Sequence, residues 1–400
     1  MNIFKKAYCR TYQFALKCAL PLLPYRQPTP LNNISEIIKT LKKHNIERVL
    51  LVTDKSIRGL GLTSALEEKL SASGIACPVF DGVVPNPTTA NVDSALSFYK
   101  ESECQAMIAF GGGSVMDCAK ATGARIARPK KSLSKMKGIL KVRKKLPLLI
   151  AIPTTAGTGS ETTLAAVITD SETRHKYAIN DFPLIPRYAA LLPELTVGLP
   201  KSVTSTTGMD ALTHAVEAYI GKSTTKQTRS CAREAVKLIF ENLTVVYDEP
   251  SNLEARRNML QASYKAGLAF TKSYVGYVHA IAHSLGGKYN IAHGLANAII
   301  LPYVLKKYGK SVHKKLWELG VYAGLFDSTT SMEEGAKLFI EKIEKLNSYM
   351  GIGTQIDSIQ ESDIPTLAKT AEHEANPLYP VPVLWTAKQL ETIYHEVKNG

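Results

Sequence analysis

The chain has 400 residues, of which 45% are hydrophobic and 21% charged, and its formal net charge is +14. This length exceeds what one hydrophobic core usually serves, so we expect a globular protein of two domains. No stretch approaches the ~20 consecutive apolar residues of a membrane-spanning helix. Six scattered cysteines without a C-x-x-C pair argue against a disulfide framework or a structural zinc, and they favour a reducing cytoplasm.

Residues 1–30 are predicted to form an amphipathic helix and a linker. We expect the apolar face of this helix to pack on the body of the protein or on a partner subunit, with a membrane surface as the weaker alternative. Lys17 interrupts the apolar run and no small-x-small cleavage site follows, so export is not expected. The apolar face comprises Phe4, Tyr8, Tyr12, Ala15, Ala19 and Leu20, and the polar face comprises Lys6, Arg10, Gln13 and Lys17.

Residues 31–198 alternate helical and β-rich segments. Helices are predicted over 34–43, from the first strand to about 71, from about 88, and after the glycine run to about 126; strands are predicted over 48–53, 77–80, 105–110 and 148–152. This alternation is typical of a parallel sheet covered by helices, which binds ligands beyond the carboxyl ends of its strands. Residues from 153 to about 200 are predicted to be irregular.

A basic segment lies within residues 128–145. It lacks the aromatic side chains of a single-strand binder and matches no nucleic-acid module, so no nucleic-acid partner is expected. A solvated loop is the favoured interpretation, and an anion-contacting surface is the alternative. Its cations are Arg128, Lys130, Lys131, Lys135, Lys137, Lys141, Arg143, Lys144 and Lys145.

Two loops that follow strands could bind phosphate. Gly111, Gly112, Gly113 and Ser114 stand between a strand and a helix, where free backbone amides and a helix N-terminus favour a pyrophosphate. A tight turn needs glycine for steric reasons alone, so this run by itself is weak evidence. The second loop, residues 153–161, carries four hydroxyls among small residues and strengthens the interpretation.

Asp54 ends the first strong strand. Its carboxylate could bind the ribose diol of a dinucleotide, or it could cap the following helix. A ribose contact would repel a 2′-phosphate, so NAD is favoured over NADP.

The second half, residues 199–400, is predicted to be helical and to bind a metal. Asp210 and His214 are four residues apart on one helical face, His279 and His283 repeat that spacing, and His293 follows. Each histidine alone is better explained as a core residue. Burying them together with an aspartate would carry a large desolvation cost unless a cation is shared. Imidazoles with one carboxylate suit Fe(II) or Zn(II) better than Mg(II) or Ca(II).

At these residues the sequence resembles the iron-containing (group III) alcohol dehydrogenases over nearly its whole length. The resemblance is carried by the GGGS loop with Asp117, the PTTAGTGSE loop, the GMDALTHAVEAY helix and the HAIAHSLGG…HG segment. It implies a Rossmann-like α/β dinucleotide-binding domain followed by an all-α metal-binding domain, the dehydroquinate synthase-like architecture. It also implies that the metal ligands are Asp210, His214, His279 and His293.

The same resemblance implies that His283 lies near the nicotinamide without binding the metal, as a catalytic candidate. Phe270, Tyr274 and Tyr277 could line an apolar substrate pocket or could simply pack in the helices. The resemblance implies cofactor contacts at Asp54, Asn86, Gly112, Gly113, Ser114, Asp117, Thr154, Thr155, Ser160 and Lys176.

The predicted function is hydride transfer between NAD and a small alcohol or aldehyde, by a cytoplasmic homo-oligomer for which a dimer is assumed. A polyol (glycerol-type) dehydrogenase or a dehydroquinate-synthase-like lyase is the alternative on the same architecture. A basic protein that binds nucleic acid or a membrane surface is the remote alternative, and it leaves the metal-binding and nucleotide-binding motifs unexplained.

Overall fold

The computed structural model describes residues 1–400, which form two compact units. One unit is Pro24–Val197, and the other combines Met1–Leu23 with Gly198–Gly400. The chain begins with helix α1 (Ile3–Ala19), which belongs to the second of these units. No helix in the structure has both the length and the apolar character needed to cross a membrane.

The unit of residues 24–197 contains nine strands and six helices. Its strands are β1 (Thr29–Leu31), β2 (Val49–Val52), β3 (Val79–Phe80), β4 (Ala106–Gly111), β5 (Gly138–Ile139), β6 (Leu148–Pro153), β7 (Ala165–Thr169), β8 (Lys176–Asn180) and β9 (Tyr188–Ala190). Its helices are α2 (Ile34–Lys43), α3 (Lys55–Gly59), α4 (Ser64–Ala72), α5 (Thr89–Glu101), α6 (Gly113–Ala127) and α7 (Leu133–Met136).

Six of the strands form one parallel sheet in the order β1-β9-β6-β4-β2-β3. This sheet has a hydrophobic core on each face. In strand β2, Leu50 and Val52 pack into the core on one side, and Val49 and Leu51 pack into the core on the other. All four are fully buried, as in a parallel sheet covered on both faces. The predicted parallel, helix-covered sheet is confirmed.

Two predictions for this unit are wrong. Residues 128–145 are not a plain solvated loop, because they contain α7 and β5 and bury Leu133, Met136 and Val142 beneath exposed lysines. Residues 153–200 are not irregular throughout: β9 joins the main sheet, and β5-β8-β7 form a second sheet. These strands are short and their sequences are mixed, so their pairing partners rather than local periodicity specify them.

The other unit is helical. After α1 it contains α8 (Lys201–Ile220), α9 (Lys226–Asp248), α10 (Leu253–Ser273), α11 (Tyr277–Tyr289), α12 (His293–Tyr308), α13 (His313–Tyr322), α14 (Met332–Tyr349), α15 (Ile364–Ala375) and α16 (Ala387–Asn399). Every residue of α8 from Gly208 to Ile220 is buried, so this helix is the centre of the unit. A Cβ at Gly208 would lie 2.3 Å from Leu243 Cδ1, which explains how closely α9 approaches it. The predicted helical fold is confirmed.

Helix α1 forms where it is predicted, but its predicted apolar face does not pack on the body of the protein. Cys9 and Gln13 are buried, whereas Phe4 and Tyr8 of the predicted buried face are 80% and 61% exposed. The helix therefore packs on the helical unit through its more polar side.

Candidate active site

Four side chains of the helical unit converge. Asp210 and His214 lie on α8, His279 on α11 and His293 on α12, and one donor atom from each lies within 4.8 Å of all the others. Asp210 Oδ1 is 3.9 Å from His214 Nδ1, 3.8 Å from His279 Nε2 and 3.5 Å from His293 Nε2. Metal bonds of about 2.1 Å place the ligand atoms of a tetrahedral ion about 3.4 Å apart, so these separations suit a shared cation.

Small residues allow the three helices to meet. A Cβ at Gly294 would lie 2.4 Å from the carbonyl oxygen of Thr206, so glycine lets the start of α12 approach α8 beside Asp210. A Cβ at Gly276, just before α11, would lie 2.6 Å from Glu217 Oε1. Glycines at these two contacts therefore set the positions of His293 and His279.

Glu217 is a site residue that sequence reasoning missed. It is 2% exposed and accepts hydrogen bonds from the amides of Gly276 (2.9 Å) and Val278 (2.8 Å). Burial raises its pKa to about 7, against the effect of those amides. Asp210, His214 and Glu217 follow an i, i+4, i+7 spacing along α8, and this spacing could have indicated it.

Glu217 also fixes the orientation of His279. Its Oε2 lies 2.6 Å from His279 Nδ1, so that nitrogen carries the proton and Nε2 presents a lone pair. Nε2 is buried, has no hydrogen-bond partner and lies beside the Asp210 carboxylate. Burial, then the neighbouring imidazoles, lower the pKa of His279 well below its usual value. A buried lone pair next to a carboxylate fits a metal ion, which would satisfy both.

Other side chains pack around the four donors. The ring of His214 stacks on Phe270 at 4.1 Å and on His279 at 4.4 Å. Asn297 Nδ2 donates to Asp210 Oδ1 at 2.7 Å and lies 3.1 Å from His293 Nε2. The donors are thus held in place by their neighbours.

Tyr277 does not line a pocket, so that interpretation is wrong for this residue. It is fully buried, its hydroxyl donates to Asn376 and to the carbonyl of Trp385, and its ring stacks on the Trp385 ring at 4.9 Å. Its role is packing between α11 and the segment before α16.

His283 lies outside the group of four. Its Nδ1 is 2.7 Å from Glu374 Oε1, which also accepts from the Tyr379 hydroxyl at 2.8 Å. Its ring stacks on His293 at 5.1 Å, and its side chain is 44% exposed. An oriented, accessible imidazole next to the cluster is suited to proton transfer.

The two predicted phosphate loops are neighbours at the carboxyl edge of the parallel sheet. Gly111 ends β4 and is in register with Pro153, which ends β6. A Cβ at Gly111 would lie 2.6 Å from Val115, and one at Gly113 would lie 3.3 Å from Thr158. The turn into α6 therefore needs small residues, and the free helix N-terminus beyond them fits an anionic group.

Lys120 holds the end of the second loop through hydrogen bonds, and sequence reasoning missed this residue as well. It is fully buried, and its ammonium donates to Ser160 O (2.7 Å), Ser160 Oγ (3.0 Å), Thr163 Oγ1 (2.9 Å) and Ala165 O (3.0 Å). Burial lowers its pKa to about 8, opposed by the negative charges of Asp117 and Glu161. A lysine flanked by Ala119 and Ala121 in α6 was the signal available in the sequence.

Asp117 stands beside Lys120 and supports the same loop. Its Oδ1 accepts from Ser160 Oγ at 3.2 Å, and its Oδ2 accepts from the Val167 amide at 3.1 Å. Both oxygens are thus used within the protein, so Asp117 positions Ser160.

Of the remaining predicted cofactor residues, Thr154 and Thr155 lie in the second loop, Asn86 lies between β3 and α5, and Lys176 begins β8. Lys176 Nζ donates to Asn86 Oδ1 at 2.8 Å, and the Asn86 amide donates to Ser114 Oγ at 3.3 Å, so these three lie together. The amide of Thr154 donates to the carbonyl of Gly111 at 3.3 Å, and Thr155 lies 3.8 Å from the position of a Cβ on Gly112.

Asp54 caps a helix. Its Oδ1 accepts from the Ile57 amide at 2.9 Å at the start of α3. One carboxylate oxygen of Asp54 thus caps α3, as the capping interpretation predicts, and the ribose contact stays a prediction.

A parallel sheet with a glycine-lined helix start, together with a helical unit that gathers an aspartate and three histidines, is typical of dehydrogenases that bind a nucleotide and a metal. Comparison with protein families is more specific. Residues 30–193 match the model "Iron-containing alcohol dehydrogenase", and residues 204–397 match "Fe-containing alcohol dehydrogenase family, C-terminal". The chain belongs to the iron-containing alcohol dehydrogenase family and is an oxidoreductase.

Characterised relatives cover most of the chain. It is 38% identical to the 1,3-propanediol dehydrogenase of Citrobacter freundii over 349 residues, which span 86% of this chain and 90% of that one. A solved structure of a 1,3-propanediol oxidoreductase is 34% identical, with a TM-score of 0.89 over 94% of this chain and 98% of that chain. The sulfoacetaldehyde reductase of Bifidobacterium kashiwanohense, solved in complex with NAD⁺, is 31% identical, with a TM-score of 0.84 and the same coverage.

Proposed function

We propose that this chain is an NAD-linked, metal-dependent alcohol dehydrogenase and aldehyde reductase. Asp210, His214, His279 and His293 would hold one divalent ion, iron(II) or zinc. The observation that carries the proposal is the convergence of these four donors around the buried, unpartnered Nε2 of His279. The ion would act as a Lewis acid toward a hydroxyl or carbonyl oxygen, and the nicotinamide would exchange the hydride.

The protein's own groups prepare this chemistry. Glu217 keeps His279 in the tautomer that presents Nε2. Phe270 stacks on His214 and keeps water from that side of the ring. In the α/β unit, Lys120 and Asp117 hold Ser160 and its loop in shape next to the glycine turn. Each of these groups is positioned by contacts within the protein, which is the arrangement catalysis requires.

The names of the relatives support small alcohols, diols and aldehydes as substrates. The test is to purify the protein without oxygen, measure its metals by elemental analysis, and follow NADH formation from short alcohols, diols and glycerol. We expect about one divalent ion per chain and steady NADH formation. Full activity in protein shown to be free of metal would contradict the proposal.

Asp54 offers a test of cofactor choice. Asparagine caps helices as well as aspartate does, so Asp54→Asn should leave the unfolding temperature nearly unchanged. Loss of the negative charge should raise the ratio of kcat/KM for NADP over NAD by about tenfold. The two cofactors are compared in the same assay. An unchanged ratio would mean that Asp54 serves only as the cap of α3.

His283 is our candidate for proton relay or for positioning the nicotinamide. Because general acid–base groups contribute about 10²–10⁴-fold, His283→Ala should lower kcat by roughly that factor and leave the bound metal in place. Steady-state kinetics and elemental analysis on the same sample measure both. Normal turnover in this variant would remove His283 from the mechanism.

We also propose that the enzyme is cytoplasmic and works as a homo-oligomer. All six cysteines are free thiols, which a reducing compartment favours. Light scattering on the purified protein measures the number of subunits.

A further inference from the structure

Helix α1 is attached to the helical unit by polar side chains. Gln13 is 4% exposed, and its amide donates to the carbonyls of Pro377 (3.1 Å) and Tyr379 (2.7 Å). The guanidinium of Arg10 donates to the carbonyls of Val381 (2.7 Å) and Pro382 (3.0 Å). These four bonds satisfy carbonyls of residues 377–382, which belong to no helix or strand. They turn the polar side of α1 inward.

The opposite side of α1 is apolar and faces solvent. Its large side chains are strongly exposed: Ile3 is 76% exposed, Phe4 80%, Tyr8 61% and Phe14 67%. Single exposed apolar residues are ordinary, but a contiguous patch of them marks an interaction surface. We call this surface the outward face of α1, and it comprises Ile3, Phe4, Ala7, Tyr8, Thr11, Phe14, Ala15 and Cys18, none of which is charged.

The charges beside the outward face are positive. Lys6 and Lys17 are exposed along its edge, and the sequence contains no Asp or Glu before Glu36. Lys222 adds a further cation beside them. Partial burial of its ammonium lowers its pKa, and the nearby positive charges of Arg10 and Lys6 lower it further. The one acidic partner recorded for a lysine of this helix is Glu372, 2.6 Å from Lys5. The patch is thus an apolar surface bordered by cations.

We propose that the outward face of α1 binds the surface of a bilayer that contains anionic lipids, with the helix lying parallel to that surface. Phe4, Tyr8 and Phe14 would enter the boundary between headgroups and acyl chains, and the lysines would contact lipid phosphates and carboxylates. This attachment is peripheral, since no helix of the structure could cross a membrane.

Charge complementarity favours a bilayer over a second copy of the chain. Two copies joined through this face by a twofold axis perpendicular to α1 would bring Lys6 and Lys17 of each close to those of the other. Residues 1–35 supply no carboxylate to pair with them. An anionic lipid surface neutralises the same cations.

The test is sedimentation of the full chain with vesicles at about 0.15 M salt. The protein should sediment with vesicles of phosphatidylcholine containing about 30 mol% phosphatidylserine, and at least about tenfold less with phosphatidylcholine alone. The double variant Phe4→Ser/Phe14→Ser should lose most of this binding, and so should Lys6→Glu/Lys17→Glu. The matched control is Met332→Ser, which removes an apolar side chain that is 47% exposed at the start of α14 and should bind like the unmodified protein.

Circular dichroism and the unfolding temperature show whether each variant is folded, and light scattering shows its subunit number. Equal binding to both kinds of vesicle, no binding, or undiminished binding by folded Phe4→Ser/Phe14→Ser would overturn the proposal. A change in subunit number in that variant without vesicle binding by the parent would assign the face to a subunit contact, and this also overturns it.

Discussion

Replacement of His279 by alanine should remove the bound metal and lower kcat by at least about 10³-fold, since Lewis-acid stabilisation is worth several kcal/mol. The physical reason is specific to this residue. His279 is the imidazole whose Nδ1 is fixed by Glu217 and whose Nε2 is buried without a partner. Without it, Asp210 and two histidines remain, a set that should bind a divalent ion weakly. Elemental analysis and steady-state kinetics on one preparation measure both effects.

The matched control for this variant is His373→Ala, which removes an exposed histidine of α15 in the same unit. It should keep both metal and turnover. Circular dichroism should show that His279→Ala is folded, because the packing of α8 on α9 at Gly208 and Leu243 does not involve the imidazole. If folded His279→Ala retains a full complement of metal, the four donors are not the metal site.

Bound metal should also raise the unfolding temperature of the protein. A ligand at about 100 times its dissociation constant stabilises the native state by about 2.7 kcal/mol, so the unmodified protein should unfold at a lower temperature after chelation. His279→Ala should show little further change with chelator. This difference separates loss of metal from a general weakening of the helical unit.

Much of the fold follows from local signals in the sequence. Helix α2 covers the predicted residues because Asn33 caps its start through the Glu36 amide, and its apolar residues recur on one face. Strands β7, β8 and β9 carry no comparable signal. Strand β7 pairs with the neighbouring β8, but β8 also pairs with β5, and β9 pairs with β1 and β6. These last partners are distant along the chain, and a single sequence does not reveal them.

The candidate metal site, too, could be predicted only in part from local spacing in the sequence. The i, i+4 spacing of Asp210 and His214 guarantees that they share a face of α8. No spacing rule states that α11 and α12 bring His279 and His293 to the same point, and the close contacts at Gly276 and Gly294 that achieve this are tertiary. The family resemblance therefore supplied the full set before the structure showed its convergence.

The orientation of α1 shows how tertiary hydrogen bonds can override an amphipathic pattern. Burying Gln13 costs little once its side-chain amide donates to the carbonyls of Pro377 and Tyr379. The pattern located the helix correctly but not the side that faces the protein.

Lys120→Met should destabilise the α/β unit by about 3–5 kcal/mol, the usual effect of removing one partner from a buried ionic group. Methionine is one heavy atom shorter than lysine and makes none of the four hydrogen bonds to Ser160, Thr163 and Ala165. Glu161, which is 2% exposed and whose pKa burial raises to about 7, would lose its nearby positive charge. Urea unfolding followed by circular dichroism measures the change.

The same variant should impair nucleotide binding more than the chemical step, because Lys120 acts on the shape of the loop that follows β6. We expect KM for NAD to rise by about tenfold or more, with metal content unchanged, since the metal donors lie in the other unit. Lys100→Met, which removes an exposed lysine of α5 in the same unit, is the control and should change neither quantity. A folded Lys120→Met with normal stability and a normal KM would show that the loop keeps its shape without the buried ammonium. A fall in stability with a normal KM would confine Lys120 to a structural role, so the two measurements together separate support of the fold from preparation of the cofactor loop.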